Sequence, residues 1–537
     1  MHCEPLNLIQ EISTAHLSGF SDATSQAFIS HQESLVQKWA ILWRSVILSS
    51  LDKTLFPYCR YLKTLDLYDL GQLFEADRFR GKIEKIFFEG DLSSFRVESD
   101  TPRKIGLGPR KGPMKQLNFA ATINKIGDVI TDRAPLLEAL FGNRGPASSN
   151  ILIKWIPKLT NLQELKLFDG QALADDVLPD LVNTSCPLFR KLGIYFWHTP
   201  DSDHQLATFL QGIRAPSLQS LELFSLTGIG AESFLALNRH GATLRLLRLC
   251  VKPESCPSLS LLKECTNIET LILEDSTGSS DLERTDYDKF LEIIEWLQSC
   301  KQLRTLEFDK FPPAAAMTMP LLKAGTLPLQ TLQVEGYMMK NSLEFHKAIR
   351  DQKTLRTLVL RGDAEGSFGD DVDALCESIG EVASLRDLKL RGVSEYFTNN
   401  HIIYLAGNLL NLEHLYVEGY GITDGVWKAL GGLRNLQFIS FYGLTNFTKD
   451  GLLGFIETLS RPGNEGIVVM VDYADIEGRL SEEEQAEVRE AIVEKVDGRF
   501  EYTLYRGRSA TLKMLKQYVL TIALTDPDIS EYEGESD

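Results

Sequence analysis

A short block of alternating apolar residues recurs along most of this 537-residue chain. The block has the form apolar-x-x-Leu-x-apolar and reads LQELKL from Leu162, LRTLVL from Leu355 and LEHLYV from Leu412. The other copies start at Leu62, Met114, Phe189, Leu218, Leu244, Ile268, Leu303, Leu329, Leu385 and Leu436. From Leu162 to Leu436 there are ten steps over 274 residues, a mean period near 27. A fixed period of this length predicts one stack of repeats rather than several unrelated domains.

The pattern inside each block predicts a short strand with one buried face, because its fourth and sixth positions are apolar and alternate with polar ones. A segment of helical period precedes the block at Leu303, with apolar Phe290, Leu291, Ile293, Ile294 and Leu297. One strand and one helix cannot bury both apolar faces alone, so the units must stack. Block and period are those of the leucine-rich repeat. The sequence therefore predicts an α/β leucine-rich-repeat solenoid (a horseshoe), with a parallel sheet on the concave face and helices on the convex face.

Two intervals between blocks are about twice the mean period. The steps from Leu62 to Met114 and from Met114 to Leu162 are 52 and 48 residues long. We therefore expect one degenerate repeat in each interval.

Composition limits the classes of protein that the chain can belong to. Hydrophobic residues make up 43% and charged residues 24%, which excludes a wholly disordered chain. No apolar run reaches the roughly 20 residues of a membrane span, and the N-terminus lacks the pattern of a signal peptide. Acidic residues outnumber basic ones 74 to 56, which argues against general nucleic-acid binding. Eight cysteines are too few for a disulfide-stapled secreted domain, so we expect a cytoplasmic or nuclear protein.

One stretch departs from the acidic balance. Residues 101–127 contain no acidic residue, and residues 101–115 are rich in Gly and Pro, which predicts a loop. The basic residues of the stretch are Arg103, Lys104, Arg110, Lys111, Lys115 and Lys125. The stretch is either a solvated surface loop or a nuclear-targeting or anion-binding patch.

Cysteine occupies one fixed repeat position in several copies. Cys59, Cys186, Cys265 and Cys300 each precede a block by three residues, giving C-x-x-L-x-x-L-x-L. Other copies have Leu or Val at this position, so we predict small buried hydrophobic residues rather than zinc or redox sites. No C-x-x-C pair is present.

Further motifs resemble a known family. Residues 422–426 read ITDGV and residues 447–452 read FTKDGL, similar to the I-T-D-x-G-L piece of cysteine-containing leucine-rich repeats. Over its full length the chain resembles fungal F-box/leucine-rich-repeat proteins, especially around residues 42–45 and 56–61. The resemblance implies a substrate-recognition subunit of an SCF-type ubiquitin ligase, with a Skp1-like adaptor at the N-terminus. Residues 1–50 lack the Leu-Pro-x-Glu helix start of an F-box, so the F-box is absent, truncated or degenerate. The alternative is a leucine-rich-repeat scaffold without ubiquitin-ligase association.

Enzyme motifs are missing from the sequence. The nine histidines are scattered, and no H-E-x-x-H, G-x-x-x-x-G-K-S/T or G-x-S-x-G occurs. The acidic residues 369–373 lack EF-hand spacing and fit the start of a helix better. We expect a non-enzymatic protein without cofactor or metal, a monomer within a complex.

The third, fifth and seventh block positions should point to the concave face, where a protein partner would bind. The predicted partner-binding residues near the start are Phe168, Tyr195 and Phe224, expected to form one ladder of rings, with Arg248 beside them. An acidic stretch then contains Glu274, Glu307, Asp309 and Glu335, followed by basic Arg361, Lys389 and Arg391 and by aromatic Tyr416, Phe438 and Tyr442. The aromatic rings are either part of a binding surface or covered by a loop. The charged residues are either part of a binding surface or a charged face that only solvent contacts.

The ends of the chain differ from the repeats. We predict an N-terminal helical segment over residues 1–54, a solenoid over 55–460, a capping region over 461–525 and a disordered acidic tail over 526–537. Within the capping region, residues 467–471 and 500–505 predict strands. Ser481 and Glu484 predict the capping box of a helix.

Overall fold

The computed structural model describes residues 22–99, 116–142, 149–197, 199–225, 228–367, 369–475 and 478–504. The chain divides into two compact units, Met1–Cys265 and Thr266–Asp537. In both units consecutive repeat strands pair in parallel and alternate with helices. The chain is therefore an α/β leucine-rich-repeat solenoid protein, as the repeat predicts.

The first unit contains eight strands among its described residues. They are β1 Thr64–Asp66, β2 Glu98–Ser99, β3 Gln116–Leu117, β4 Ala139–Phe141, β5 Glu164–Asp169, β6 Lys191–Phe196, β7 Ser220–Leu223 and β8 Leu246–Val251. The α-helices are Asp22–Ser50, Leu67–Glu75, Lys82–Phe87, Phe119–Thr131, Ser149–Trp155, Leu178–Ser185, Ser202–Gly212 and Ala231–Leu237. The 3-10 helices are Tyr58–Tyr61, Gly90–Phe95, Ile156–Lys158, Gly170–Leu173, Asn238–His240 and Pro253–Leu262.

The early repeats differ from the sequence expectation. The block at Met114 is not a repeat strand, because β3 pairs antiparallel with β2 in a separate two-stranded sheet. Strand β1 pairs directly with β4, with Leu65 opposite Leu140. Thus β4 is the repeat hidden before Leu162, and the interval after Leu62 contains no further strand of the parallel sheet within its described part. The pattern missed β4 because its block, from Leu137, has Gly142 where the sixth apolar residue should stand.

The helix Asp22–Ser50 packs into the core of the first unit through two tryptophans. Trp39 and Trp43 are buried, and their Nε1 atoms donate to Asp69 Oδ2 at 2.8 and 2.7 Å. Burial raises the pKa of the Asp69 carboxyl, although these two hydrogen bonds oppose the shift. The other carboxyl oxygen, Oδ1, has no hydrogen-bond partner among the described residues. One carboxyl group thus joins this helix to the first helix after β1.

A second contact joins the same helix to the helix Lys82–Phe87. The Arg44 guanidinium donates to the backbone carbonyls of Ile86 and Phe87 at 2.6 Å and of Glu89 at 2.9 Å. These carbonyls lie at the C-terminal end of the helix Lys82–Phe87, where backbone oxygens lack partners within the helix. Arg44 therefore caps that helix.

The second unit contains nine described strands. They are β9 Thr270–Asp275, β10 Thr305–Asp309, β11 Thr331–Met338, β12 Thr357–Asp363, β13 Asp387–Arg391, β14 His414–Glu418, β15 Phe438–Tyr442, β16 Val468–Ala474 and β17 Arg499–Leu504. The α-helices are Leu282–Thr285, Tyr287–Ser299, Ala314–Ala324, Leu343–Ile349, Gly369–Gly380, Asn399–Asn408, Trp427–Leu430, Lys449–Thr458 and Glu482–Val496, and Asp424–Val426 is a 3-10 helix. Strands β9 to β17 pair in parallel in chain order.

The fourth block positions of the second unit form one buried row across the strands. Its members are Leu271, Leu306, Leu332, Leu358, Leu388, Leu415 and Ile439, each at most 2% exposed. On β10, β13 and β14 the side chains that alternate with them are less buried and lie on the opposite face of the sheet. In each unit, the face of the sheet opposite the buried fourth block positions is called the open face below.

The periodic cysteines are buried, as the sequence predicts. Cys59, Cys186, Cys265 and Cys300 are at most 3% exposed and form no disulfide. Burial raises the pKa of the Cys186 and Cys300 thiols to about 12. Both thiols therefore stay protonated near neutral pH and behave as small apolar groups.

The predicted elements after the last block are present. The strand predicted at residues 467–471 is β16, and the strand predicted at 500–505 is β17. The Ser481 hydroxyl accepts from the Glu484 amide, and the Glu484 carboxylate accepts from the Ser481 amide at 2.8 Å, which completes the capping box. The acidic tail, the basic loop 101–115 and residues 1–21 lie outside the described residues.

We predict that Asp69→Ala destabilises the first unit. The change leaves two buried indole N–H groups without an acceptor, at a cost of about 1–3 kcal/mol each. Asp69→Asn is the matched control, because its amide oxygen can still accept and the raised pKa indicates that this site tolerates a neutral group. Urea unfolding followed by circular dichroism should give a lower midpoint for Asp69→Ala only. Equal midpoints for the two variants would show that the indole contacts contribute nothing.

Candidate functional site

Three aromatic rings form one stack on the open face of the first unit. The Phe168 and Tyr195 rings have centroids 6.5 Å apart with planes 20° apart, and the Tyr195 and Phe224 rings lie 4.5 Å and 14° apart. Tyr195 is 43% exposed, and the other two rings are partly exposed. The stack arises because three neighbouring strands each carry an aromatic residue at the seventh block position. The ladder of rings that the sequence predicts is therefore present.

Arg248 ends this stack. Its guanidinium carbon lies 5.0 Å from the Phe224 ring centroid, a cation–π contact. The seventh position of the next block holds Cys250, which is only 3% exposed and therefore does not continue the row on the open face. The end of β8 differs from its neighbours, because its last three residues are all buried.

Lys166, the fifth residue of its block, lies in the row beside the rings. Lys166 pairs in register with Gly193, and a Cβ at Gly193 would lie 2.7 Å from Lys166 Cγ. The glycine therefore makes room for the lysine stem to lie across β6. The ammonium lies 5.5 Å from the Phe141 ring centroid and 5.7 Å from that of Phe224.

Two carboxylates hold this ammonium. Lys166 Nζ is 3.3 Å from Glu164 and 3.5 Å from Glu222. Burial acts to lower the pKa of Lys166, but the two carboxylates, Glu222 foremost, reverse the shift and raise it. Burial also raises the pKa of Tyr195, against the nearby Lys166 charge. The first unit thus presents uncharged rings next to an internally neutralised charge cluster.

The open face of the second unit begins with acidic side chains. Glu274 lies opposite Asp309 on the neighbouring strand, and Glu307 is two residues before Asp309. Glu274 is 3.5 Å from Lys310. Glu335, on β11, accepts from Gln333 Nε2 at 3.0 Å. All four predicted acidic residues therefore lie on strands β9 to β11.

Basic side chains follow on β12 and β13. Arg361 lies 3.5 Å from Glu335 and pairs in register with Arg391. Lys389 Nζ and the Arg391 guanidinium carbon lie 5.7 and 4.9 Å from the Tyr416 ring centroid. Burial raises the pKa of Tyr416, although a hydrogen bond with Arg391 opposes the shift. The structure thus brings the predicted basic residues together with Tyr416, the first residue of the second predicted aromatic group.

Apolar side chains follow on β15 and β16. Phe438 and Met470 are partly exposed, and Tyr442 is exposed at the end of β15. Between them Ser440 is buried, and its hydroxyl has no hydrogen-bond partner among the described residues. The sequence pattern indicated Phe438 and Tyr442 but did not single out Met470.

A half-buried carboxyl group lies beside this face in the loop after β13. Burial, assisted by the charges of Glu418 and Asp363, raises the pKa of Glu395 to about 7. Burial also raises the pKa of Glu418, which accepts a hydrogen bond from the Gly392 amide. The block pattern could not predict Glu395, because it lies outside the block and its neighbours come from two other repeats.

Comparisons with known proteins give distant structural likenesses and no family. No protein-family model and no curated protein matches the sequence. An internalin (inlF) from Listeria monocytogenes has 15% identity and a TM-score of 0.33, over 60% of this chain and 77% of the internalin. A chain of the yeast Rad7–Elc1 complex has 13% identity and a TM-score of 0.36, over 87% and 97% of the two chains. The TLR13–ssRNA13 complex has 16% identity and a TM-score of 0.34, over 64% and 50%.

The described residues contain neither a membrane-spanning type of helix nor a metal-binding type of cluster. None of their helices is both long and apolar enough to span a bilayer. Nor do they bring three or more His, Cys, Asp or Glu side chains into a group that could hold a metal ion.

We predict that Glu395→Gln changes the pH dependence of stability. The folded pKa of Glu395, about 7, is above its ordinary value of 4.5, so its contribution to stability is complete below about pH 4.5 and is lost as pH rises through 7. Glutamine is neutral at every pH, so the variant does not lose stability through ionisation at this position. The variant should therefore exceed the wild type in melting temperature by more at pH 8.5 than at pH 5.

The control for this measurement is Glu365→Gln. Glu365 lies in the loop after β12 and is exposed, so this variant should follow the wild type at both pH values. A pH-independent offset for Glu395→Gln would contradict the assignment.

Proposed function

We propose that this chain is a non-enzymatic protein-binding leucine-rich-repeat protein whose partner binds the open face of the sheet. The observation that carries the proposal is the stack of Phe168, Tyr195 and Phe224, ended by Arg248. Tyr and Arg are enriched among the residues that dominate binding energy at protein interfaces, and each aromatic ring can bury a large apolar area. The stack keeps part of its surface exposed on a rigid strand scaffold, so a partner can bury it with little loss of conformational entropy.

The charges around the stack favour a protein ligand over a highly charged polymer. Lys166 is neutralised by Glu164 and Glu222, and Lys191 lies 3.7 Å from Glu164. A phosphate backbone would need cations that are not already paired. The uncharged, partly exposed rings are instead suited to apolar side chains of a protein.

We extend the proposal to a substrate-recognition subunit of an SCF-type ubiquitin ligase, acting in the cytoplasm or nucleus. Its support is the resemblance around residues 42–45 and 56–61, together with a group of exposed apolar residues there. Leu55 is 92% and Tyr61 73% exposed, and Phe56 and Tyr58 lie between them with ring centroids 6.2 Å apart. An exposed apolar patch of several hundred Å² marks an interaction site in many proteins. A Skp1-like adaptor is the partner we propose for this patch.

The second candidate is a scaffold that acts without a ubiquitin ligase. The burial of Trp39 and Trp43 against Asp69 favours it, because this face of the N-terminal helix is occupied within the chain itself. The helix then acts as a terminal cap of the repeats, which a solenoid requires.

We predict that replacing Phe168, Tyr195 and Phe224 by alanine weakens partner binding while the melting temperature changes little. The partner is first identified by affinity capture with mass spectrometry and then purified. At about 2 kcal/mol or more per hot-spot residue, the dissociation constant should rise at least 100-fold. Calorimetry measures the affinity, and circular dichroism measures the melting temperature.

The matched control replaces three exposed apolar residues of the same unit, Val177, Leu188 and Leu235, by alanine. This variant should bind the partner like the wild type. A large loss of stability in the stack variant would show instead that the rings belong to the core.

Pull-down with a purified Skp1-like adaptor tests the ubiquitin-ligase role. The full chain should recover the adaptor, and Leu55→Ser with Phe56→Ser should not, because the patch loses its apolar surface. Leu136→Ser with Leu188→Ser, at other exposed apolar positions, is the control. If the wild type recovers no adaptor while a known F-box protein does, the scaffold function stands and the ligase function is wrong.

A further inference from the structure

The open face of the second unit changes its chemistry in a fixed order along the strands. An acidic segment on β9 to β11 is followed by a basic segment on β12 and β13 and by an apolar segment on β14 to β16. The acidic segment is Glu274, Glu307, Asp309 and Glu335; the basic segment is Arg361, Lys389 and Arg391; the apolar segment is Tyr416, Phe438, Tyr442 and Met470. Each segment covers two or three neighbouring strands, so a ligand that crosses the strands meets all three in turn.

The charges of this face are only partly neutralised within the chain. The ion pair of Glu335 with Arg361 lies at the border between the acidic and basic segments. Elsewhere on the described face, Asp309 has no lysine or arginine and Lys389 has no carboxylate within 4 Å. These two residues can therefore form new ion pairs without breaking one of their own.

The basic segment also carries an unfavourable arrangement that an anionic ligand would relieve. Arg361 and Arg391 are directly opposite one another on neighbouring strands, and like charges so placed repel each other. Arg391 Nε has no hydrogen-bond acceptor among the described residues. A carboxylate between the two guanidinium groups would attract both and offset their repulsion.

Other carboxylates near the basic segment have their own contacts. Asp387 accepts from Thr357 at 3.0 Å and contacts His414. Glu418 accepts from the Gly392 amide, and Asp472 accepts from Thr503 at 3.0 Å. The charges of Arg391 and Arg361 also oppose the rise in the pKa of Glu418, so Lys389 is where an acidic ligand group gains most.

The size of the ligand follows from the spacing of the strands. Neighbouring strands are about 4.8 Å apart, so the five steps from β10 to β15 span about 24 Å. An extended peptide rises about 3.3 Å per residue, so seven or eight residues cover this distance.

We propose that the second unit binds an extended peptide of another protein, about eight residues long, whose basic, acidic and apolar residues follow one another in that order along the face. The proposal rests on the proposed function, because it names the kind of partner segment that the open face would hold. Charge complementarity fixes the order of the three groups. The acidic group is in the middle whichever way the peptide chain runs along the face.

Fluorescence anisotropy with three labelled peptides of identical composition tests this order on the full chain. The first is Lys-Arg-Lys-Glu-Asp-Trp-Leu-Phe, the second is its reverse sequence, and the third is Glu-Asp-Lys-Arg-Lys-Trp-Leu-Phe. One of the first two should bind at least tenfold more tightly than the third, because the third places basic residues against the basic segment. Which of the two binds gives the direction of the chain.

A charge reversal provides the decisive control. The variant with Lys389→Glu and Arg391→Glu should bind the preferred peptide at least tenfold more weakly than the wild type does. The same variant should bind more tightly a peptide in which the two central acidic residues are replaced by lysine. Lys301→Glu with Lys428→Glu makes the same change in net charge at exposed positions elsewhere in the unit and should bind like the wild type.

Three outcomes would overturn the proposal: equal binding of all three peptides, no binding by a chain with a native circular dichroism spectrum, or equal loss in both charge-reversal variants. A protein partner that still binds the aromatic stack of the first unit, together with order-independent peptide binding, would overturn this inference and leave the proposed function intact.

Discussion

The buried row of block leucines is the constraint on which the rest of the second unit depends. Leu306, Leu332 and Leu358 lie directly opposite one another on parallel strands and are fully buried. Each buried leucine contributes roughly 1.5–3 kcal/mol, and a shift of one residue in register would expose the whole row. Because side chains alternate along a strand, the same register turns the third, fifth and seventh residues of a block toward the open face. The core thus decides which residues a partner can reach.

That dependence explains how much the sequence alone could predict. The strand bearing Phe168 and the face on which its ring lies follow from the alternation inside one block. The same argument failed where a block was not used as a repeat. Residues 116–117 match the pattern, but they form a two-stranded antiparallel sheet with β2, and their register cannot be known without that partner strand. Strand β4 was missed because Gly142 removes one apolar residue from its block, while Leu140 is buried and pairs in register with Leu65.

The candidate surfaces show a similar limit. A stack of rings could be predicted, because parallel strands in register bring equal block positions together. The path of the Lys166 side chain across β6 could not be predicted, because it depends on the missing side chain of Gly193 in the next repeat. The raised pKa of Glu395 could not be predicted either, because it comes from burial and from the charges of Glu418 and Asp363, which are residues of other repeats. Periodicity gives the face and the strand of a residue, whereas its electrostatics depend on non-periodic neighbours.

The division of each strand between core and face also bears on how such a protein can acquire partners. Lys389 and Tyr416 are on the open face, while Leu388 and Leu415, one residue away, are buried. A substitution at Lys389 therefore changes the charge of the surface without making a cavity in the core, and substitutions of this kind are usually within about 0.5 kcal/mol of neutral. The N-terminal helix is different, because Trp39 and Trp43 join it to the core through Asp69. Substitutions at that end must preserve this buried contact, so the exposed side chains between Leu55 and Tyr61 are where the surface can vary freely.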